Sequence, residues 1–186
     1  MSEKTSIREV PLEIVRPGLD YGQLLSPLTN YVALCGDESP VTMRIDIEHW
    51  RLLNRLRNLR YVVVDRRQAK VSEVPAATRQ AEVHQLGIDV GRILGSIPTL
   101  YRQLGRDSQT GDELLHLRLV ISGSELSLIP FELLIAPEGF PDEGGPLFLQ
   151  KRLPVTVTRE VRRGRSIRSS GTASPASSSS RRPPAA

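Results

Sequence analysis

The chain has 186 residues, 39% of them hydrophobic and 25% charged, which is typical of one soluble globular domain with a hydrophobic core. No apolar run reaches the ~20 residues that a membrane-spanning helix needs, and the first residues lack an apolar segment of the signal-peptide type. The single cysteine, Cys35, excludes an internal disulfide and fits a reducing compartment, so we expect a cytoplasmic protein.

The net charge of +4 is unevenly distributed along the chain. Four arginines and no acidic residue lie in the segment 164–186, and without them the 25 Lys and Arg residues fall to 21, equal to the 21 Asp and Glu residues. The part of the chain that is patterned for folding is therefore neutral. This balance argues against nucleic-acid binding, which needs a basic patch on a structured face.

The first predicted elements are β-strands. Residues 12–15 form a short strand candidate that Pro17 and Gly18 close. Residues 30–35 and 41–45 are two β-prone runs on either side of a turn-rich loop, and this pattern predicts a β-hairpin.

A helix is predicted next, over residues 46–60, with Asp46 as a plausible N-cap. The helical spacing predicts an apolar stripe that consists of Trp50, Leu53, Leu56 and either Leu52 or Leu59. Residues 61–64 (Tyr-Val-Val-Val) then favour a strand or a strand-like continuation.

A longer helix is predicted over residues 76–104, where apolar residues recur at steps of three and four. Gly87, Gly91 and Gly95 form a second stripe on it, one turn apart. Each glycine in a helix costs up to about 1 kcal/mol relative to alanine, so three in register predict close packing of the helix backbone against a sheet or another helix. Pro98 is expected to start or kink the last turns.

The last predicted elements follow a turn-rich pattern. Residues 115–122 form a strand candidate, and a turn then leads through 126–129 to Pro130, which suits the first position of a helix over 131–134. After a loop rich in Gly, Pro and acidic residues, 147–149 and 153–158 are strand candidates, with Val155 and Val157 on one face of the second.

This last stretch resembles the start of the CHAT domain, a caspase-like family. The family pattern is a hydrophobic strand, a short turn, a Pro-Phe-Glu-x-Leu helix start, a loop, and two further strands, the second with alternating valines. The signature positions here are Pro130, Phe131, Glu132 and Leu134, and the match is good over residues 83–161. We read them as structural: Pro130 starts the helix, Phe131 and Leu134 are buried, and Glu132 complements the helix N-terminus.

The resemblance implies a parallel sheet with helices on both faces and a Cys–His dyad at the carboxyl ends of strands. In the family both catalytic residues come well after the Pro-Phe-Glu-x-Leu element. Nothing after Leu134 is a histidine or a cysteine in this sequence, so we expect no catalytic residue and no peptidase activity. The expected fold is α/β: incomplete caspase-like layers with an N-terminal β-hairpin and two main helices.

The residues that are present do not replace the dyad. Cys35 follows a probable strand and is expected to be a buried small residue. We expect a local hydrogen bond or partial exposure for His49, an exposed or packed side chain for His84, and a satisfied position at the core edge for His116. No spacing among them indicates a metal site, and no cofactor is indicated.

Three interpretations of function follow from these patterns. The first is a truncated CHAT protein, inactive alone, whose catalytic half is missing or supplied separately. The second is an interaction module that docks a helical-repeat partner of the TPR type, because family members are often fused to or encoded with such proteins. The third is weak nucleic-acid binding through a cluster of arginines and the tail; the cluster comprises Arg51, Arg55, Arg57, Arg60, Arg66 and Arg67.

The predicted domain organisation is a partial CHAT-like domain over residues 1–163 and a tail over residues 164–186. The tail consists mainly of Ser, Arg, Ala and Pro, which cannot bury enough apolar surface to offset the entropy lost on ordering. We therefore expect it to be disordered, either as a flexible terminus or as sequence that is out of frame or replaced.

Overall fold

The structure is a computed structural model that describes residues 6–18, 23–59, 74–104, 113–149 and 154–162. Short 3₁₀ turns lie at Ser124–Leu128, Phe131–Leu133 and Leu147–Leu149. The described residues form the following strands and helices: β1 (Ser6–Val15), β2 (Asn30–Cys35), β3 (Val41–Arg44), α1 (His49–Leu59), α2 (Ala76–Gly95), α3 (Pro98–Leu104), β4 (Glu113–Ile121) and β5 (Val155–Val161).

The described strands belong to one sheet with the order β3-β2-β1-β4-β5. β2 and β3 form the predicted antiparallel hairpin, and β2 also pairs antiparallel with β1. β1, β4 and β5 run parallel to one another. The fold is therefore α/β, as predicted, and its sheet is mixed rather than all parallel. The strand order reverses between β1 and β4, because the hairpin lies on one side of β1 and the later strands lie on the other.

The hydrophobic core lies on one face of this sheet. Leu12 of β1 is buried opposite Cys35 of β2 and Leu119 of β4, and directly opposite residues in neighbouring strands point to the same face. Leu52 of α1 and Leu86 of α2 belong to the same buried cluster, as do residues of α3. The described helices thus cover one face, and the two-sided layering that the resemblance implies is not found in the described part of the chain.

The opposite face of the sheet carries charged and polar side chains. Arg118 in β4 lies between Glu9 in β1, at 3.7 Å, and Glu160 in β5, at 3.2 Å. Arg162 extends this ladder with a 2.8 Å ion pair to Glu13. Exposed ion pairs contribute little to stability, but they keep this face compatible with water. The alternation of apolar and polar residues in β4 and β5 follows from this one-sided burial.

β1 is longer than the predicted strand 12–15, because it continues through Pro11 to Ser6. Proline usually interrupts a central strand, since it has no N–H to donate. The Pro11 carbonyl accepts a 3.0 Å hydrogen bond from the N–H of Gly36, which lies just beyond Cys35, the last residue of β2. The backbone groups of Pro11 therefore face β2 and not β4. The missing N–H therefore removes no bond from the ladder with β4.

Helix α1 begins at His49 rather than at Asp46, and the carboxylate of Glu48 accepts hydrogen bonds from the Trp50 and Arg51 N–H groups at its N-terminus. The predicted apolar stripe is partly wrong. Trp50 is 61% exposed and does not join the core, whereas Leu52 is fully buried. The burial of Leu52 agrees with one of the two alternatives predicted for the stripe, and only the inclusion of Trp50 is wrong.

The predicted helix over 76–104 is two helices. α2 ends at Gly95, where the Ser96 N–H bonds back to the Arg92 carbonyl, and Pro98 begins α3. The break agrees with the expected effect of proline, which has no N–H for an intrahelical bond and fits the first turn of a helix.

The glycine stripe of α2 packs closely, as predicted, but its partner is an extended loop segment rather than a sheet or a helix. A Cβ atom on Gly87 would collide with the Leu133 carbonyl oxygen, and one on Gly91 would collide with the Ile135 carbonyl oxygen. The Ile135 N–H also donates a 3.1 Å hydrogen bond to the Gly87 carbonyl. Backbone therefore contacts backbone here, which only glycine permits.

The signature residues adopt a 3₁₀ turn, Phe131–Leu133, and not an α-helix. Pro130 immediately precedes this turn, and Phe131 and Leu134 are buried as expected. Glu132 does not complement a helix N-terminus; its carboxylate forms a 3.2 Å ion pair with Arg159 of β5.

The predicted strand at 147–149 is also wrong, because Leu147–Leu149 forms a 3₁₀ turn. The predicted strand at 153–158 corresponds to β5. The predicted strand at 61–64, the tail 164–186, and the arginines Arg60, Arg66 and Arg67 lie outside the described residues.

The glycine contact yields a stability prediction. Gly91→Ala should destabilise the protein by about 2 kcal/mol, because overpacking against the fixed Ile135 carbonyl outweighs the roughly 1 kcal/mol gained in helix propensity. Gly95→Ala is the matched control: its Cβ would lie 3.0 Å from the Pro137 ring, which can shift, so its stability should stay within about 1 kcal/mol of wild type. Urea unfolding followed by circular dichroism measures both, and a Gly91→Ala protein as stable as wild type would contradict this packing.

Candidate functional site

Cys35 lies at the end of β2 on the core face of the sheet. It is a free thiol with no exposed surface, as predicted. Burial raises the pKa of the Cys35 thiol, since the apolar surroundings disfavour the charged thiolate. Because the thiolate is the reactive form, this cysteine is in the wrong environment for a nucleophile.

The three histidines have surroundings that do not include a hydrogen bond to Cys35 in the described structure. The ring Nδ1 of His49 accepts a 3.4 Å hydrogen bond from the Leu25 N–H, in agreement with the expected local bond. His84 is exposed on α2, and His116 is half-buried in β4 with its Nε2 2.6 Å from the Thr158 hydroxyl. No histidine bonds the Cys35 thiol within the described residues, so the structure brings together no Cys–His pair.

Of the described arginines in the cluster, Arg55 is neutralised by ion pairs, and Arg51 and Arg57 are exposed. Arg55 of α1 forms ion pairs with Glu82 and Asp89 of α2, the second at 2.7 Å. These groups line a cleft of about 540 Å³ between the two helices, together with the exposed Arg51 and Arg92. The cleft also contains Asp46 and Glu48, so acidic and basic groups are mixed and no basic patch forms. The ion pairs of Arg55 connect α1 to α2. The mixed charges of the cleft give no support to nucleic-acid binding.

A second polar cluster lies at the edge of the sheet where the parallel strands β1 and β4 end. Glu125 follows β4 and is only 2% exposed, although it carries a carboxylate. Its Oε1 atom accepts hydrogen bonds from the Tyr31 hydroxyl and from Nη1 of Arg16, both at 3.0 Å. Arg16 comes directly after β1, and Tyr31 is the second residue of β2.

The second carboxylate oxygen of Glu125, Oε2, is buried and has no hydrogen-bond partner among the described residues. A buried acceptor without a donor costs on the order of 1–3 kcal/mol, so the position of Glu125 is not explained by stability alone. Burial and the neighbouring carboxylate raise the pKa of the Tyr31 hydroxyl, which therefore remains a donor at neutral pH. Neither Glu125 nor Arg16 was singled out by the sequence patterns.

The edge of β5 is a third feature, because β5 pairs with β4 on one side only in the described sheet. Two bonds fix the orientation of its backbone: Leu115 N–H to the Pro154 carbonyl, and Arg162 N–H to the Ile121 carbonyl. Since N–H and C=O groups of successive residues point to alternate sides of a strand, even-numbered residues face β4 and odd-numbered residues face away. The residues whose backbone groups face away are Val155, Val157, Arg159 and Val161.

The described residues contain no group of three or more His, Cys, Asp or Glu side chains arranged to hold a metal ion. Among the described helices, none is long and apolar enough to cross a membrane. In comparisons with known proteins, no family model, no curated protein and no solved structure matches the chain.

The burial of Cys35 predicts its chemical behaviour. Alkylation by iodoacetamide at pH 8 should be on the order of 100-fold slower in the folded protein than in urea, because a raised thiol pKa leaves less thiolate at a given pH and the core excludes the reagent. The modified fraction can be followed by intact mass. Alkylation of the folded protein at the unfolded rate would show that Cys35 is accessible.

Proposed function

We propose that this chain is a non-catalytic scaffold of the caspase-like CHAT type, and that it binds a β-strand from a second polypeptide along the open edge of β5. The second polypeptide is a segment of the CHAT type that carries a catalytic histidine and cysteine. The one observation that carries the docking proposal is the row of backbone groups on β5 that face away from β4, its one neighbour in the described sheet.

The absence of catalysis rests on the chemistry of the residues present. The only cysteine of the sequence is buried with a raised thiol pKa, and the three histidines are engaged elsewhere or exposed. A Cys–His mechanism needs a thiolate and an imidazole within hydrogen-bond reach of each other. These residues do not supply that pair, and the CHAT-type identity itself rests on the resemblance at residues 83–161.

The docking step rests on the physics of unpaired strands. An edge strand presents N–H and C=O groups that pair readily with another chain. β5 contains no proline that would block pairing, and its Val161 side chain is exposed. Its charged residues, Arg159 and Glu160, form ion pairs with Glu132 and Arg118. Strand addition uses main-chain hydrogen bonds for affinity and alternate side chains for specificity.

A helical-repeat partner of the TPR type is a second candidate. The exposed indole of Trp50 on α1 favours it, since a large exposed aromatic side chain is typical of a protein-binding surface. This candidate uses the helical face of the molecule, and the strand-addition proposal uses its sheet edge.

The docking proposal predicts a difference between two substitutions at one position. Val161→Pro removes an outward-facing N–H, whereas Val161→Thr keeps it and preserves the β-branched shape. Both proteins should stay within about 1 kcal/mol of wild-type stability, since Val161 is 39% exposed and its N–H bonds no residue of β4. Binding should be lost only in Val161→Pro, by about tenfold or more.

The binding assay uses the polypeptide encoded directly downstream, produced separately, and measures complex formation by size-exclusion chromatography with light scattering. Equal binding by both variants would rule out the β5 edge. A different result would favour the second candidate. In that case neither the wild type nor either Val161 variant binds the downstream polypeptide, whereas a co-encoded helical-repeat protein binds the wild type and does not bind Trp50→Ala. If the downstream polypeptide contains no histidine and no strand-linked cysteine, it is ruled out as this partner.

A further inference from the structure

The side chains of β5 divide between two surfaces that differ in chemistry. Val155 and Val157 lie opposite buried leucines of β4, so both valines point to the core face of the sheet. The alternate residues Thr156, Thr158 and Glu160 are exposed and point to the charged face. A strand that pairs with β5 continues both surfaces, because directly opposite residues in neighbouring strands share a face.

The core face is only partly covered beside β5. Val155 is buried, but Val157 packs against the core and keeps part of its surface exposed. The turn Leu147–Leu149 contacts β5, and its Phe148 side chain is also partly buried against the core. Covering the remaining apolar surface of these side chains is favourable, since it removes that surface from water. A neighbouring strand therefore gains stability from apolar residues on the core face.

The charged face ends on a carboxylate at β5. Glu9 of β1, Arg118 of β4 and Glu160 of β5 form a diagonal row whose charge alternates from strand to strand. Glu160 lies at the open end of this row, and its side chain is 47% exposed. Its second cation, Arg162, is 3.8 Å away and is shared with Glu13. The next strand in the sheet therefore meets a carboxylate that attracts a cation and repels another carboxylate.

We propose that the β5 edge accepts an amphipathic strand that carries a lysine or an arginine beside Glu160. This inference rests on the proposed docking of a strand along β5, and it specifies the chemistry of that strand. The apolar residues of the strand lie beside Val155 and Val157, and its polar residues lie beside Thr158 and Glu160. A strand with the opposite alternation would place apolar side chains in water, and Glu160 would repel an acidic strand.

The test is an NMR titration of the ¹⁵N-labelled full chain with three synthetic peptides. The first alternates valine with lysine, the second alternates valine with glutamate, and the third has the composition of the first with its valines in adjacent pairs. We expect the valine–lysine peptide to shift the amide signals of Val157, Arg159 and Val161, and to bind at least about fivefold more tightly than the other two. The chain has a net charge of +4, so non-specific attraction would favour the glutamate peptide instead.

Variants connect this preference to Glu160. Glu160→Lys should reverse it, so that the glutamate peptide binds about threefold or more tightly than the lysine peptide. Glu138→Lys is the matched control, because it makes the same change of charge at an exposed residue in the loop that faces α2, and it should keep the wild-type preference. Glu160→Gln should abolish the preference for the lysine peptide, and it keeps the test available if Glu160→Lys does not fold.

Three results would overturn the proposal. One is equal binding of the lysine peptide and either other peptide to the wild type. Another is an unchanged preference in Glu160→Lys, which would place the charge selection elsewhere. The third is the absence of saturable shifts along β5 with every peptide. Each of these leaves the docking proposal to its own test, which compares the two Val161 variants with a complete polypeptide; equal binding by those variants removes the docking proposal and this inference together.

Discussion

The backbone contact between α2 and the segment after the signature turn determines how closely these two parts of the described fold can pack. Gly87 and Gly91 let the helix approach the carbonyls of Leu133 and Ile135 more closely than any other residue type allows. The approach fixes where the turn lies, and the turn places Phe131 and Leu134 in the core. The segment then continues to Leu147, whose N–H bonds the Leu134 carbonyl, and so leads the chain back to the sheet.

The one-sided burial of the sheet explains both its sequence pattern and its open features. Parallel strands are usually covered on both faces, and their sequences are then continuously apolar. Here the charged ladder of Glu9, Arg118 and Glu160 makes the second face compatible with water, and none of the described helices lies over it. The same arrangement leaves β5 as an edge strand with its odd-numbered backbone groups unpaired in the described sheet.

Local patterns predicted the features that depend on neighbouring residues. The hairpin strand β2 was predicted with the observed bounds, because two β-prone runs flank a loop of strong turn formers. Pro98 separates α2 from α3, and the spacing of the three glycines indicated close packing. The sequence did not predict which segment packs against these glycines, because a loop segment has no periodic pattern of apolar residues.

Features set by distant contacts were missed. β1 can continue through Pro11 because the N–H that proline lacks would face β2 just beyond the end of that strand. Trp50 is exposed because α1 is rotated to bury Leu52. The cluster around Glu125 joins residues 109 and 94 positions apart in the chain, and nothing in the local sequence marks a glutamate after a strand as buried. Gly123 lies two positions before Glu125 and leaves room for its carboxylate, but this role cannot be recognised until the position of the carboxylate is known.

Amide hydrogen exchange of the isolated chain, resolved by residue along β5, tests the central claim of an open scaffold edge most directly. The N–H groups of Thr158 and Glu160 face β4 and should be protected, whereas those of Val157, Arg159 and Val161 face away and should exchange at nearly unprotected rates. Equal protection of both sets in the isolated chain would show that the β5 edge is already paired, and would contradict the account.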